Sequence, residues 1–135
     1  MISETEYPNK KTSCPFCDKK TRNRFIKEFN TVAAFEDSSP VSKGHILIIP
    51  KRHCPDYFHM TDEELSDANA LIRVLKNTLS DRDETITGFN IGMNIGRSAG
   101  QTIFHSHIHL IPRRDGDTPS PMGGVRGVIP DKMSY

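Results

Sequence analysis

The stretch QTIFHSHIHLIPRR, residues 101–114, places a histidine at every second position, at His105, His107 and His109. Because side chains alternate between the two faces of a β-strand, this spacing predicts a strand over 102–112 with three imidazoles in a row on one face. The other face is apolar enough to be the core side. It is predicted to carry Phe104, Ser106, Ile108 and Leu110.

The pattern alone leaves three interpretations of this row open. It can be a half-solvated sheet face, although Ser, Thr or Lys would fill such positions more often. It can be a single metal site, but neighbours at i and i+2 lie about 6.7 Å apart and the outer pair about 13 Å, whereas zinc–nitrogen bonds are only about 2 Å long. The third interpretation is a division of labour, in which one histidine does chemistry while its neighbours orient it or serve another site.

The composition is that of one ordinary domain. The chain has 135 residues, of which 35% are hydrophobic, and a net charge of +1 from 18 basic and 17 acidic residues. This balance speaks against a general nucleic-acid binder, which usually has a strong basic excess. Apolar runs fall short of the roughly 20 residues that cross a bilayer, and the N-terminal MISETEYPNKK has no apolar signal-peptide core. We therefore expect a cytoplasmic protein with no nucleic-acid or membrane partner.

Periodicity and turn residues predict five short strands and one long helix. The helix is predicted from Asp62 to about Ser80, because Thr61 and Glu64 can form a capping box ahead of a regularly spaced apolar stripe. That stripe consists of Leu65, Ala68, Ile72, Leu75 and Leu79. The predicted strands are 24–29, 31–37, 45–50, 87–96 and 102–112. One long helix between the third and fourth strands indicates an α+β domain built on an antiparallel sheet.

A histidine within such a row suits phosphoryl or nucleotidyl transfer. Neutral imidazole is nucleophilic near pH 7, because its ordinary pKa of about 6.5 leaves much of it deprotonated. Attack on phosphorus gives a phospho-imidazole that water can hydrolyse later, so one difficult displacement becomes two easier ones. The segment SAGQT, residues 98–102, offers donors just before the row, and phosphoryl transfer needs donors aimed at the developing charge.

Two separated motifs resemble the histidine triad (HIT) family. QTIFHSHIHLIP resembles its His-x-His-x-His signature and VSKGHILIIPKRH its preceding Gly-His-apolar strand, and the likeness runs from about Cys14 to Ile129. The resemblance implies a HIT-like fold, a homodimer, and a nucleoside monophosphate bound beside the triad. The resemblance places a HIT domain with a zinc knuckle over 14–112. Polar composition predicts a flexible N-terminus over 1–13, and Gly- and Pro-rich composition without periodicity predicts a C-terminal arm over 113–135.

The resemblance also implies roles for individual residues. His107 is the nucleophile, His109 helps to orient it, and His45 supports this arrangement. Gln101 and Thr102 complete the implied catalytic set. The implied nucleotide-binding positions are Phe35 as a wall for the base, Asp37 at the ribose, Asn94, Gln101 and Thr102 around the α-phosphate and leaving group, and His107 and His109. Without the triad, Asp37 would be read as a turn former and His45 as a histidine with no role.

The motif CPFC, residues 14–17, raises the question of a metal. Two cysteines at this spacing commonly hold a tetrahedral ion, although the site needs two more ligands, and redox use lacks the expected βαβ context. Many bacterial HIT proteins look similar and bind zinc. The resemblance therefore implies a structural Zn²⁺ site with the ligands Cys14, Cys17, His53 and His105. Cys54 is the alternative to His53.

The triad does not fix the substrate. The flanking residues look most like those of dinucleoside polyphosphate hydrolases, which implies a hydrolase or nucleotidyl transferase acting on adenine nucleotide conjugates through nucleotidyl-His107, with Mg²⁺ as an ion that can accompany the substrate. The alternatives are a nucleoside phosphoramidase, a nucleotide-binding module with little turnover, and a zinc-centred interaction domain. Arg113, Arg114 and Arg126 are read equally well as polyphosphate contacts and as solvated surface arginines.

Overall fold

A five-stranded antiparallel sheet with one long helix on one face organises the computed structural model, which describes residues 13–135. The strands are β1 (Lys27–Phe29), β2 (Val32–Glu36), β3 (Ile46–Pro50), β4 (Ile86–Gly92) and β5 (Ile108–Arg114), and the helices are α1 (Lys19–Arg22) and α2 (Asp62–Arg82). The order in the sheet is β1-β2-β3-β5-β4. The predicted α+β fold, with five strands and one long helix, is confirmed. The predicted flexible N-terminus lies, apart from Ser13, outside the described residues.

Strands β1 and β2 form a tight hairpin at Asn30, the one residue between the predicted strands 24–29 and 31–37. Phe29 pairs with Val32 across the turn, and Asn30 has a positive φ of 51°. Asparagine tolerates this left-handed conformation better than most residues, because its short side chain hydrogen-bonds locally. Strand β1 starts only at Lys27, later than predicted.

Helix α2 begins with the predicted capping box. The hydroxyl of Thr61 accepts a hydrogen bond from the amide of Glu64 at 3.1 Å, and the carboxylate of Glu64 accepts one from the amide of Thr61 at 2.8 Å. Ala68 and Leu75 of the predicted stripe are buried, and Leu71 is buried with them. The helix-side core consists of Val32, Ala34, Ile46, Ile48, Cys54, Met60, Ala68, Leu71, Leu75, Ile108 and Leu110.

The opposite face of the sheet carries a second, smaller apolar cluster. Phe35 on β2 pairs with Leu47 on β3, and Leu47 pairs with His109 on β5, so all three side chains share this face. The site-side cluster consists of Cys14, Phe16, Cys17, Phe35, Leu47 and Ile49. The two faces of the sheet thus separate the main core from the histidines.

The prediction that the histidine row lies on one straight strand is wrong. Strand β5 begins at Ile108, so His105 and His107 precede it in irregular chain, and the strand continues past Pro112 to Arg114. Phe104, predicted for the core face, is 46% exposed. Strand β4 likewise ends at Gly92, short of the predicted 96.

Pro50 explains why β5 starts late. Ile48 is the last residue of β3 that pairs with β5, opposite Ile108. Further pairing would use Pro50, which has no amide hydrogen to donate to the ladder. Its carbonyl instead accepts a hydrogen bond from Nε2 of His105 at 2.8 Å.

The arm after β5 returns to the histidine face of the sheet. Gly124, Val125 and Val128 line a cavity of about 340 Å³ together with β4 residues, His45 and His109. The arm contains single 3-10 turns at Gly124–Val128 and Pro130–Lys132. Among residues 13–135, no helix is both long enough and apolar enough to span a membrane.

Candidate active site

The buried imidazole of His45 connects a loop to the triad. The amide of Val41 donates to Nδ1 of His45 at 3.1 Å, so the proton of the neutral ring is assigned to Nε2. This Nε2–H donates to Nδ1 of His109 at 2.9 Å, which assigns the proton of His109 to its own Nε2. Burial lowers the pKa of both rings and outweighs the opposing effect of the Asp37 carboxylate. We call His45 and His109 the histidine relay.

The second ring nitrogen of His109, Nε2, carries a proton that a ligand could accept in a hydrogen bond. Within residues 13–135, Nε2 of His109 is the one buried side-chain nitrogen or oxygen without a hydrogen-bond partner. Leaving a buried donor unsatisfied costs about 1–3 kcal/mol. An acceptor atom of a bound molecule would remove this cost.

His107 presents an unprotonated nitrogen. Its Nδ1 donates to the backbone carbonyl of His105 at 2.8 Å, which leaves the lone pair on Nε2. Burial lowers the pKa of His107 below its ordinary 6.5, although the bond to the carbonyl acts in the opposite direction. The ring centroids of His107 and His109 are 5.3 Å apart. A neutral imidazole with a fixed tautomer beside a fixed donor is suited to nucleophilic attack.

The two predicted nucleoside contacts lie on the same face, with different access. Asp37 follows β2; one of its oxygens accepts from a backbone amide of the next turn at 2.8 Å, and the other lies 3.5 Å from Nε2 of His45. Phe35 is only 2% exposed, with the rings of Phe16 and Phe25 at centroid distances of 5.4 Å and 6.1 Å. In this structure Phe35 is a buried support, and its contact with a base stays a prediction.

The loop before the triad is braced by Gln101. Its amide oxygen accepts from the amide of Gly96 at 2.8 Å. Its NH₂ group donates to the carbonyls of Pro55 at 2.7 Å and Ile103 at 3.1 Å. Both donors of the side chain are therefore engaged within the protein. Thr102 is exposed beside it.

Asn94, for which the resemblance implies a phosphate contact, lies beside the histidine relay. It lines the 340 Å³ cavity next to the histidine relay. Of the three predicted polar contacts, Asn94 shares this cavity with His109, whereas Gln101 braces the loop and Thr102 faces outward. Their contacts with substrate stay predictions.

The four predicted metal ligands come together in a second cluster. One ligand atom from each lies within 4.8 Å of the others, and the residues are Cys14, Cys17, His53 and His105. Nδ1 of His105 is 3.6 Å from Sγ of Cys14 and 3.5 Å from Sγ of Cys17. Nδ1 of His53 is 3.3 Å from Sγ of Cys17. Three of the four residues are buried, and His53 is half-buried.

This cluster fits a tetrahedral zinc ion. Bonds of about 2.3 Å to sulfur and about 2.0–2.1 Å to nitrogen, at the tetrahedral angle, place a sulfur and a nitrogen about 3.6 Å apart. Because Nε2–H of His105 donates to the carbonyl of Pro50, its Nδ1 lone pair is left for the ion. The hydrogen bond with Cys17, and then burial, raises the pKa of Cys14, so a nearby cation would be needed to turn this thiol into a thiolate.

His53, rather than Cys54, completes the cluster. Cys54 points the other way into the helix-side core, is 2% exposed, and has a pKa raised by burial to about 11. Arg52 anchors this segment, because its guanidinium donates to both oxygens of the buried Glu64 carboxylate at 3.1 Å and 2.8 Å. Helix α2 thereby holds the loop that presents His53.

A second group of candidate ligands, Asp37, His45 and His109, fits an ion poorly. Their ligand atoms also lie within 4.8 Å of one another. However, binding through Nε2 of His45 would move the ring proton to Nδ1, where it would face the amide hydrogen of Val41. The hydrogen bonds therefore favour a relay over a metal centre.

Phe16 is the site residue that the sequence reasoning did not single out. It is 7% exposed, and its ring meets those of His107 and His105 edge-on at centroid distances of 5.1 Å and 5.9 Å. The signal for it in the sequence is an aromatic residue between the two cysteines of the CPFC motif.

Fold and site together define an α+β protein of the histidine triad type. A model of the HIT domain matches residues 18–116, and the chain belongs to the HIT family. An uncharacterised HIT-like protein of Methanocaldococcus jannaschii is 37% identical over 108 residues, covering 77% of this chain and 81% of that protein. An adenosine 5'-monophosphoramidase of Candida albicans is 35% identical over 120 residues, covering 82% and 77%. A bis(5'-nucleosyl)-tetraphosphatase of Schizosaccharomyces pombe is 36% identical over 85 residues, covering 63% and 46%.

Solved structures agree with this assignment. A HIT family protein from Bacillus anthracis superposes with a TM-score of 0.72 at 38% identity, covering 78% of this chain and 77% of that one. A zinc-bound histidine triad family protein from Mycobacterium smegmatis superposes with a TM-score of 0.71 at 32% identity, covering 80% of each chain. The predicted HIT-like fold is confirmed, and nucleotide hydrolases are among the relatives of this chain.

Proposed function

We propose that this protein is a nucleotide hydrolase, or nucleotidyl transferase, that works through a covalent nucleotidyl intermediate on His107. The observation that carries the proposal is the pairing of two ring nitrogens. Nε2 of His107 is unprotonated, and the neighbouring Nε2–H of His109 is buried without a partner. The hydrolase relatives support the same chemistry.

The proposed reaction consists of two displacements. In the first, Nε2 of His107 bonds to the α-phosphorus, and the bond from phosphorus to the leaving group breaks with its electron pair going to the leaving group. Nε2–H of His109 donates to a phosphoryl oxygen, where charge develops. In the second, water attacks phosphorus, the phosphorus–nitrogen bond breaks with its electrons returning to His107, and a water proton goes to solvent. An acceptor other than water would make the same step a nucleotidyl transfer.

A dinucleoside polyphosphate, or a similar adenine nucleotide conjugate, is the proposed substrate. The tetraphosphatase relative supports this choice. Asp37 is proposed to bind the ribose, because one of its oxygens faces the relay. Asn94 and Thr102 are proposed on the phosphate side, and Gln101 is proposed to hold their loop in place.

A nucleoside phosphoramidate is the second candidate, and the arm favours it. The arginines that the sequence offers for polyphosphate, Arg113, Arg114 and Arg126, all have partners within the chain. The cavity beside the relay receives the apolar Val125 and Val128 from the arm. A phosphoramidate nitrogen that takes a proton from solvent leaves as a neutral amine and needs no cationic partner, whereas a polyphosphate leaving group does. The phosphoramidase relative agrees with this candidate.

We also propose a structural Zn²⁺ in the cluster of Cys14, Cys17, His53 and His105. The donor set and the zinc-bound structure from Mycobacterium smegmatis support it. Four protein ligands leave no open coordination position, so the ion would cross-link the chain. A homodimer, a cytoplasmic location and Mg²⁺ with a polyphosphate substrate stay predictions.

The test compares AMP release from diadenosine tetraphosphate and from adenosine phosphoramidate. The wild type is assayed beside His107→Ala and, as a matched control, beside His59→Ala, since the side chain of His59 is 62% exposed and pairs with Asp56. We expect His107→Ala to abolish turnover. Quenching of the wild type in alkaline denaturant should trap a nucleotidyl protein, because the phosphorus–nitrogen bond to imidazole is labile in acid and stable in base. Turnover of His107→Ala near the wild-type rate would rule the mechanism out. AMP binding without release from either substrate would indicate a nucleotide-binding module.

A further inference from the structure

His105 takes part both in the group of candidate zinc ligands and in the candidate active site. Its side chain faces the two cysteine sulfurs through Nδ1, and its backbone carbonyl accepts the hydrogen bond from Nδ1 of His107. The ring is fully buried and is also fixed by the carbonyl of Pro50. The orientation of the His105 peptide therefore decides which tautomer of His107 is stable.

Phe16 makes a second connection between the same two sites. It stands between the cluster residues Cys14 and Cys17, and its ring meets His107 edge-on at 5.1 Å. The two rings are nearly perpendicular, at 83°, and such pairs bring the electropositive edge of one ring to the electronegative face of the other, which gives the contact a preferred geometry. A shift of the CPFC loop would therefore remove one wall of the nucleophile.

An ion would tie these parts together across the chain. The sulfurs of Cys14 and Cys17 lie 91 and 88 residues from His105 in sequence, and no disulfide joins the described residues. Protonated thiols bind imidazole only weakly, whereas zinc–thiolate bonds contribute directly to folding. The loop position thus depends on metal occupancy more than on the thiol contacts.

We propose that the Cys14–Cys17–His53–His105 cluster, once it holds Zn²⁺, positions the nucleophile His107 through the His105 carbonyl and the Phe16 ring. Phe16 is a positioning residue in this scheme, since it acts through His107. The inference rests on the proposed function for the meaning of "nucleophile", but the positioning itself is measurable without substrate.

The first experiment titrates Zn²⁺ alone into metal-free full-length protein labelled with ¹⁵N-histidine. We expect the ring nitrogens of His107 to move from a mixture of tautomers to a single Nδ1–H form in step with the binding of one ion. The signals of the exposed His59 should stay in place. An unchanged His107 ring at full occupancy would overturn the proposal.

The second experiment keeps the metal ligands and removes the ring. Phe16→Ala is compared with Phe25→Ala, because Phe25 packs on the same site-side cluster but contacts Phe35 at 6.1 Å. Both variants should bind one zinc ion. Misplacement of a reacting group by about 1 Å lowers the rate on the order of 100-fold. We therefore expect kcat of Phe16→Ala to fall about ten- to hundredfold at unchanged KM. Phe16→Leu should recover part of this kcat, and Phe25→Ala should stay within about twofold of the wild type.

The outcomes separate this proposal from the proposed function. A raised KM with unchanged kcat in Phe16→Ala would make Phe16 a substrate contact and overturn the positioning role. A zinc-dependent His107 signal in a protein that releases AMP from no substrate would refute the enzyme but keep the coupling. If metal-free protein does not fold, the kcat and KM values of Phe16→Ala and Phe25→Ala alone decide whether Phe16 positions His107.

Discussion

The relay histidine His45 offers a sharp test, because its two ring nitrogens have different partners. Nδ1 accepts from the amide of Val41, and Nε2–H donates to His109. The side-chain amide of asparagine reaches about as far as Nδ1 of histidine, and that of glutamine about as far as Nε2. His45→Asn should therefore keep the bond from Val41 and lose the bond to His109, whereas His45→Gln should do the reverse.

The size of the effect follows from what the lost bond does. Without a donor at its Nδ1, His109 can move its proton to that side and then has no Nε2–H for the phosphoryl oxygen. A hydrogen bond to a charged group is worth about 1.5–3 kcal/mol. At about 1.4 kcal/mol per factor of ten, His45→Asn should lower kcat about 10- to 150-fold. His45→Gln should stay within about threefold of the wild type, since it still donates to His109.

The assay is single-turnover AMP release at saturating enzyme, with thermal unfolding as a check on both variants. His45 is 2% exposed, so each substitution will also cost stability, and comparing the two variants controls for that cost. Equal losses in the two variants, or a faster His45→Asn than His45→Gln, would refute the relay. The tautomers assigned to His45 and His109 would then be wrong.

Three further expectations concern stability and metal. Arg52→Met should lower the free energy of unfolding by about 2–4 kcal/mol in urea titrations. This is below the roughly 3–5 kcal/mol for breaking a fully buried pair, because the side chain of Arg52 is 27% exposed. Adding Glu64→Gln should restore part of the lost free energy, and no recovery would count against the ion pair. Metal analysis should find one zinc ion per chain in Cys54→Ser and less than that in Cys17→Ser. Equal zinc content in the two variants would contradict the proposed zinc site. The free energy of unfolding should fall as the pH drops below about 6.5. Burial lowers the pKa of both relay histidines, so below that pH the unfolded chain binds more protons than the folded one. The melting temperatures of the wild type and of His45→Gln should therefore converge at low pH.

The sequence predicts most of the fold, because its signals are local. The capping box at Thr61, the apolar period of α2 and the turn at Asn30 each depend on neighbours in the chain, and the structure confirms all three. The start of β5 depends on a distant residue instead. Alternating residues suit any extended chain, and only the pairing of β3 shows that Pro50 ends the ladder before it reaches His107.

The candidate site was predictable in its residues but not in its geometry. The motif spacing and the resemblance name four metal ligands that the structure brings together. Whether His53 or Cys54 faces the two cysteines depends on the direction of the chain after β3. That direction sends one of the two side chains to each side of the sheet. The part played by Phe16 needs the distance between its ring and His107, which residues so far apart in sequence do not reveal.

The division of the sheet into two faces has a practical consequence for engineering. Substitutions in the helix-side core can raise or lower folding stability while leaving the chemistry untouched, because that core shares no side chain with the histidine face. The exceptions are the ion pair of Arg52 with Glu64, which fastens the His53 loop to α2, and the hydrogen bonds of Ser106, between His105 and His107, with Met60 and Cys54 of that core. Stabilised variants for crystallography or directed evolution are therefore best sought on α2 away from its first turn, where heat resistance and turnover can be selected independently.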